Sequence, residues 1–194
     1  MPDIATILLA AGQSRRMGAR NKLLLPIGGV PMIVHMVRTY QTVTDGAVLV
    51  VTGNEGDAVT AALGGTGATT VHNPDFASGQ ASSVACGLRA LGPCDAVLIG
   101  LGDQPLLTAG DLQALIAAHD GTRITIPTDG DARGNPILVP CHRVPALLDG
   151  PTPGCRRFTR THPDQVHKVP LPAPGFYRDI DTPDDYARCE TVMT

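Results

Sequence analysis

Leu8-Leu-Ala-Ala-Gly-Gln-Ser-Arg-Arg-Met-Gly18 is the stretch on which the reading of this chain turns. Upstream, Ile4 to Ala10 is an apolar run without polar alternation, the pattern of a strand buried on both faces of a parallel sheet. It passes straight into small residues and then into four cations, Arg15, Arg16, Arg20 and Lys22. In an open α/β sheet, ligands bind at the carboxyl ends of the strands, where this loop sits. Leu9 and Ala10 lead into the nucleotide-binding stretch, and beside Ala11 and Gly12 no large side chain stops backbone N–H groups from approaching a phosphate. Arg15, Arg16 and Lys22 supply countercharge. Five residues separate Gly12 from Gly18 and Ala19 follows, which excludes both G-x-x-x-x-G-K-[ST] and G-x-G-x-x-G. A solvated basic turn is the competing reading.

Working outward, Ala47–Thr52, Ala96–Leu101 and Ile124–Ile126 read as further buried strands. Helical stripes lie between them: Pro31 at a first turn before Met32, Ile33, Met36, Val37 and Tyr40; then Ala81, Val84, Ala85, Leu88 and Leu91. Thr108-Ala-Gly-Asp111 resembles a capping box ahead of Leu112, Leu115 and Ile116. Strand and helix alternate, so right-handed crossovers should build a mostly parallel sheet covered on both faces. Beyond Thr128, Gly134-Asn-Pro136 leads into Ile137-Leu-Val139, an antiparallel excursion, and frequent prolines from Pro140 to Pro174 suggest an irregular cap. Thr182 and Pro183 start a last helix. The expectation is one α/β domain over 1–194, Rossmann-like and three-layered. Its nucleotide-binding part spans about 1–105 and its acceptor-binding part about 106–194.

With 43% hydrophobic but only 3% aromatic residues and no Trp, the core must be Ala, Val, Leu and Ile. A chain of 194 residues needs no disulfide or metal staple. The net charge of −3 gives no global basic field, which argues against nucleic acid or a membrane surface as partner. Five cysteines, without a C-x-x-C pair, support neither a disulfide framework nor a zinc site. No basic-then-apolar leader and no run near 20 apolar residues is visible, so a cytoplasmic location is expected. The six histidines show no metal spacing, and Cys86 falls on the apolar stretch of a helix, where packing outweighs nucleophilic use.

Asp103 follows a central strand, where it suits either a turn or a metal. Asp184 and Asp185 sit in a helix first turn and read as structural. Asn73 and Gly79 to Ser83 open the helix containing Leu88, with Ser82 and Ser83 as hydroxyl donors or caps.

L-A-A-G-x-S-R-R-M-G followed by Lys22 and Leu24-Leu-Pro26 resembles the signature loop of the nucleotidyltransferases that act on molybdenum cofactor, whose wider relatives activate sugar phosphates. The likeness continues in order through Asn73-Pro74, Gly79-Gln-Ala-Ser-Ser83, Gly102-Asp-Gln-Pro105, Gly134-Asn-Pro136 and Asp179-Ile-Asp-Thr-Pro-Asp-Asp-Tyr186. The resemblance implies an enzyme in which Arg15, Arg16 and Lys22 hold the β- and γ-phosphates of a nucleoside triphosphate. Asp103 would be the principal Mg²⁺ ligand and Asp181 the second, with Asp179 its rival. Asn73, Gly79, Ser82 and Ser83 would line the base and ribose pocket, and Gly134 and Asn135 would border the acceptor. Relatives often carry G-D-x-G-x-R in the cap. Here Gly154-Cys-Arg-Arg157 lacks the acid, and Arg156, Arg157 and Arg160 suit an anionic acceptor. The implied acceptor is a molybdopterin-type phosphate. The implied nucleotide is CTP, because cytidylyl-transferring members read L-A-A-G where guanylyl-transferring ones read L-A-G-G. Alternatives are guanylyl or sugar-phosphate transfer, or a non-catalytic factor handing cofactor to a molybdenum-dependent apoenzyme.

Overall fold

The computed structural model describes residues 3–18, 20–149 and 154–193. Its centre is β1 (Ile4–Ala10), buried at all seven positions. β1 lies between two parallel neighbours, β4 (Val48–Thr52) and β6 (Ala96–Leu101). Fully burying side chains such as Ile7 and Leu8 stabilises by roughly 1.5–3 kcal/mol each. A central position therefore follows from a run that is apolar at every position but Thr6, itself buried.

The sheet extends on one side to β5 (Thr69–His72), parallel to β4. On the other side, β9 (Ile137–Pro140) runs antiparallel to β6 and to β7 (Ile124–Asp129), and β10 (Val166–Pro170) closes the edge parallel to β7. The order is β10-β7-β9-β6-β1-β4-β5, with β8 (Ala132–Arg133) folded back on β7. A short hairpin, β2 (Pro26–Ile27) and β3 (Val30–Pro31), stands apart.

One face is covered by α1 (Met32–Gln41), α2 (Gly56–Ala62) and α4 (Ala109–Ala117), whose apolar sides meet Leu8, Val50, Leu98 and Leu138. The other carries α3 (Gln80–Ala90), α5 (Val144–Leu148) and α6 (Cys155–Thr161), packed on Ile7, Val51, Val97 and Ile137. This is the expected three-layer α/β fold with its antiparallel portion. Gly87 brings α3 close to the sheet, since a Cβ there would stand 2.7 Å from Ile7 and 2.9 Å from Val51. α7 (Pro183–Met193) docks through Cys189 beside Ile27, Met32 and Ile180.

Two expectations need correcting. The proline-rich cap is more regular than its composition suggested: it supplies α6 and β10, an edge strand in which Pro170 comes last and interrupts no ladder. Residues 150–153 of that cap lie outside the described residues. In addition, Cys94 and Cys141 form a disulfide although neither belongs to a spacing motif. Cys94 precedes β6 and Cys141 follows β9, and the antiparallel register places those two ends side by side. Among the described residues, no helix is long and apolar enough to cross a membrane.

Candidate active site

The loop after β1 is shaped by local hydrogen bonds. Ser14 takes a left-handed backbone (φ 48), an unusual state for a side-chain-bearing residue, and its carbonyl accepts from Met17 N at 2.8 Å. Ser14 Oγ accepts from Lys22 N at 3.3 Å, while Asn21 Oδ1 accepts from Leu23 N at 3.1 Å and caps the turn that Lys22 opens. Buried Met17 and Leu23 anchor the loop, leaving Arg15 and Arg16 exposed and Lys22 only 8% exposed.

Asp103 is delivered by β6. Gly102 N donates to Leu9 O at 2.9 Å, so the chain leaves β6 alongside the end of β1. The tail comes to meet it: Ile180 N donates to Asp103 O at 2.8 Å, and the Gln104 amide donates to Phe176 O at 3.2 Å and to Asp179 Oδ1 at 2.9 Å. Thr182 and Asp185 exchange hydrogen bonds in a capping box, which fixes Asp181 at the mouth of α7.

Three chain segments thus converge. Lys22 Nζ donates to Asp103 Oδ2 at 2.5 Å and to Asp181 Oδ1 at 3.0 Å, and Arg16 pairs with Asp181 Oδ2 at 2.8 Å. Burial opposes the Lys22 charge, but the Asp103 carboxylate, aided by Asp181, outweighs it and raises the ammonium above its usual range. Asp179, facing the same centre, is lifted to about 6 by burial and the Asp103 charge, against its Gln104 hydrogen bond. Asp103 and Asp181 already share one cation. Two hard carboxylates on one centre, with room left for water and phosphate oxygens, are a donor set that fits Mg²⁺ or Mn²⁺.

These residues wall a cleft of two connected lobes. The first, about 590 Å³, is lined by Leu9 to Arg16, Lys22, Asp103, Asp179 and Asp181, with Phe76, Gly79, Gln80 and Ser83 opposite. The second, about 630 Å³, has an apolar floor of Leu9, Val84, Ile99, Leu101 and Ile137 and a rim of Arg133, Arg156, Arg157 and Arg160. Leu9, Gln80, Leu101, Asn135 and Arg156 belong to both.

The expected nucleotide residues therefore gather on one lobe, except for Asn73 and Ser82. Asn73 is buried behind the wall, where its amide donates to Ser82 Oγ at 2.9 Å and Ser83 Oγ at 3.0 Å; Ser82 Oγ donates to Asp75 O and Gly79 O. They shape the loop that presents Gly79 and Ser83. Gly134 also lies off the cleft, packed so closely on Phe176 that a Cβ would come within 2.9 Å. Sequence reasoning missed Arg133 and Gln80. The Arg133 signal was its place directly before Gly134-Asn-Pro136.

A strand-end crevice with an open small-residue loop, clustered cations and a carboxylate pair is the layout to set beside known proteins. The chain belongs to the MobA-like NTP transferase domain family, whose model matches residues 6–166. It is 38% identical over 122 residues to the bifunctional protein GlmU of Leifsonia xyli, covering 60% of this chain but 25% of that one. The chain thus spans about a quarter of the length of such relatives. Nicotine blue oxidoreductase of Paenarthrobacter nicotinovorans is 28% identical over 94% of both chains. Among solved structures, a nucleotidyl transferase from Methanothermobacter, Mth528, shares the fold with a TM-score of 0.85 at 24% identity, covering 98% of this chain and 97% of that one. Rv0371c of Mycobacterium tuberculosis, in complex with manganese, gives 0.76 at 23%, covering 97% and 98%.

Proposed function

We propose that the chain transfers CMP from CTP to the phosphate of a molybdopterin-type cofactor and releases pyrophosphate. The observation that carries this reading is the two-lobed cleft, with a triphosphate-sized basic loop in one half and an apolar floor rimmed by arginines in the other. An oxygen of the acceptor phosphate forms a bond to the α-phosphorus. The bond from the α-phosphorus to the oxygen bridging to the β-phosphate breaks, and its electron pair leaves with pyrophosphate. Such chemistry asks for alignment and charge stabilisation, not a covalent nucleophile.

Backbone N–H groups around Ala11 and Gly12 cradle the β- and γ-phosphates, with Arg15 and Arg16 above them. Lys22, at the meeting point of the loop and the two carboxylates, would turn its charge to the departing pyrophosphate. Asp103 and Asp181 would hold Mg²⁺, which supplies neutralisation at the reacting phosphates when bound. Gly79, Ser83 and the loop braced by Asn73 and Ser82 border the nucleoside, while Asn135, Arg156 and Arg157 receive the acceptor. The manganese complex of Rv0371c supports a divalent metal in this fold.

Preference for CTP rests on Ala11, whose methyl narrows the base space by an amount worth about 1–3 kcal/mol of discrimination. Competition between equal labelled CTP and GTP, with molybdopterin as acceptor, tests it. Cytidylyl product should dominate, and an excess of guanylyl product would overturn the nucleotide assignment.

The 28% identity to nicotine blue oxidoreductase over 94% of both chains favours a second reading, an oxidoreductase. The absence of a G-x-G-x-x-G loop after β1 weighs against it. Nicotinamide oxidation without pyrophosphate release would support it instead.

A further inference from the structure

The second lobe holds more positive charge than one phosphate calls for. Arg133 reaches it from β8, Arg156, Arg157 and Arg160 from α6, and no carboxylate stands among its lining residues. Elsewhere the chain does supply partners: Arg123 pairs with Asp120, Arg188 with Asp185 and Arg16 with Asp181. Arg133 is held by a neutral group, donating from Nη1 to Thr159 Oγ1 at 2.6 Å. Crowding by protein atoms lowers its pKa and Arg156 repels it, while nearby Cys155 offers no standing charge, because burial pushes that thiol up to about 12. Four guanidiniums around an apolar floor, with no carboxylate paired to them among the described residues, repel one another unless an anion joins them.

Their distribution divides the task. Arg156 stands where the lobes join, so it faces the phosphate that reacts. Arg133 and Arg160 line the second lobe alone, and Arg157 does not reach the first. We propose that Arg133, Arg157 and Arg160 form a second anion subsite, so that the acceptor carries two separated anionic groups on an apolar body. The nearer group attacks the nucleotide and the farther one is clamped by Arg133. This deepens the transferase reading of the cleft and rests on it. It makes Arg133 a specificity-determining residue, because an acceptor with a single anion leaves the far guanidiniums unpaired.

Calorimetric titration of the full chain with naphthalene-1,5-disulfonate and naphthalene-1-sulfonate, in saturating CTP, tests the subsite without turnover. The disulfonate should bind roughly ten- to a hundredfold more tightly, the ordinary yield of one charge-assisted contact. Arg133→Met and Arg160→Gln should each remove most of that advantage. Arg160 is on the exposed side of a helix, so its variant reads the subsite even if Arg133→Met fails to fold. Equal affinities for the two probes, an advantage that survives Arg160→Gln, or displacement of the disulfonate by CTP would each overturn the proposal. Failure of the transferase reading shows up separately, as absence of pyrophosphate release with an unchanged disulfonate result.

Discussion

Replacing Lys22 by Met keeps the apolar stem and removes the ammonium that two carboxylates share. Breaking a buried pair by deleting one partner costs about 3–5 kcal/mol, because the other charge is left uncompensated. Asp103 falls near that regime: its side chain is 18% exposed, and Lys22 is its only ion-pair partner among the described residues. Asp181 is 34% exposed and keeps Arg16, so solvent and that guanidinium screen its share. The net loss should be about 2–3 kcal/mol, read as a lower urea midpoint at unchanged slope in chelator. A divalent cation can then do for the variant what the ammonium does for the native chain. At a hundred times its dissociation constant it returns about 2.7 kcal/mol. The native protein should gain less, since there the cation must first displace Lys22. Turnover should fall at least about a hundredfold even with metal, because the charge at the leaving pyrophosphate is gone. An unchanged midpoint, or the same cation response in both proteins, would refute the reasoning.

Three further outcomes follow from the geometry. Asp103→Asn should keep the circular dichroism spectrum and lose about three or more powers of ten in rate in a stopped pyrophosphate assay. Asp179 binds its proton more tightly folded than unfolded, so in chelator stability should fall as pH rises from about 4 through about 6 and then level off. Asp179→Asn, which keeps an oxygen for Gln104, should abolish that slope and add about 1 kcal/mol at pH 7.5 after allowance for the exposure of the carboxylate; pH-dependent urea melts check both. Gly100→Ala should destabilise by about 1–3 kcal/mol in thermal melts, because its methyl would overlap the fully buried Tyr40 ring and hydroxyl.

Legibility in the sequence tracked burial. Ala96 to Leu101 is apolar throughout and Ile4 to Ala10 is so except at Thr6, and both are central, so both strands could be read from the chain. α1 showed because Met32, Ile33, Met36, Val37 and Tyr40 form an unbroken stripe. β5 is a mostly exposed edge strand of Thr69, Thr70, Val71 and His72, and α2 buries Val59 alone, so neither offers a period to recognise. The Cys94–Cys141 pair depends on the β6–β9 register, which is a tertiary fact. At the site, the loop and both carboxylates were visible as residue types at strand and helix ends. That Lys22 lies between Asp103 and Asp181 was not visible, because it requires positions 81 and 159 apart in sequence to close on one point.

Transfer of a nucleotidyl group to an acceptor phosphate is the activity on which the roles of Asp103, Asp181 and Lys22 depend. Pyrophosphate release from CTP by the full chain, measured with and without molybdopterin and with and without Mg²⁺, tests it most directly. Release is expected only when acceptor and metal are both present, in step with labelled CMP appearing in the product, and none is expected from Asp103→Asn. Release indifferent to acceptor, or no label transfer from any of the four nucleoside triphosphates, would contradict it.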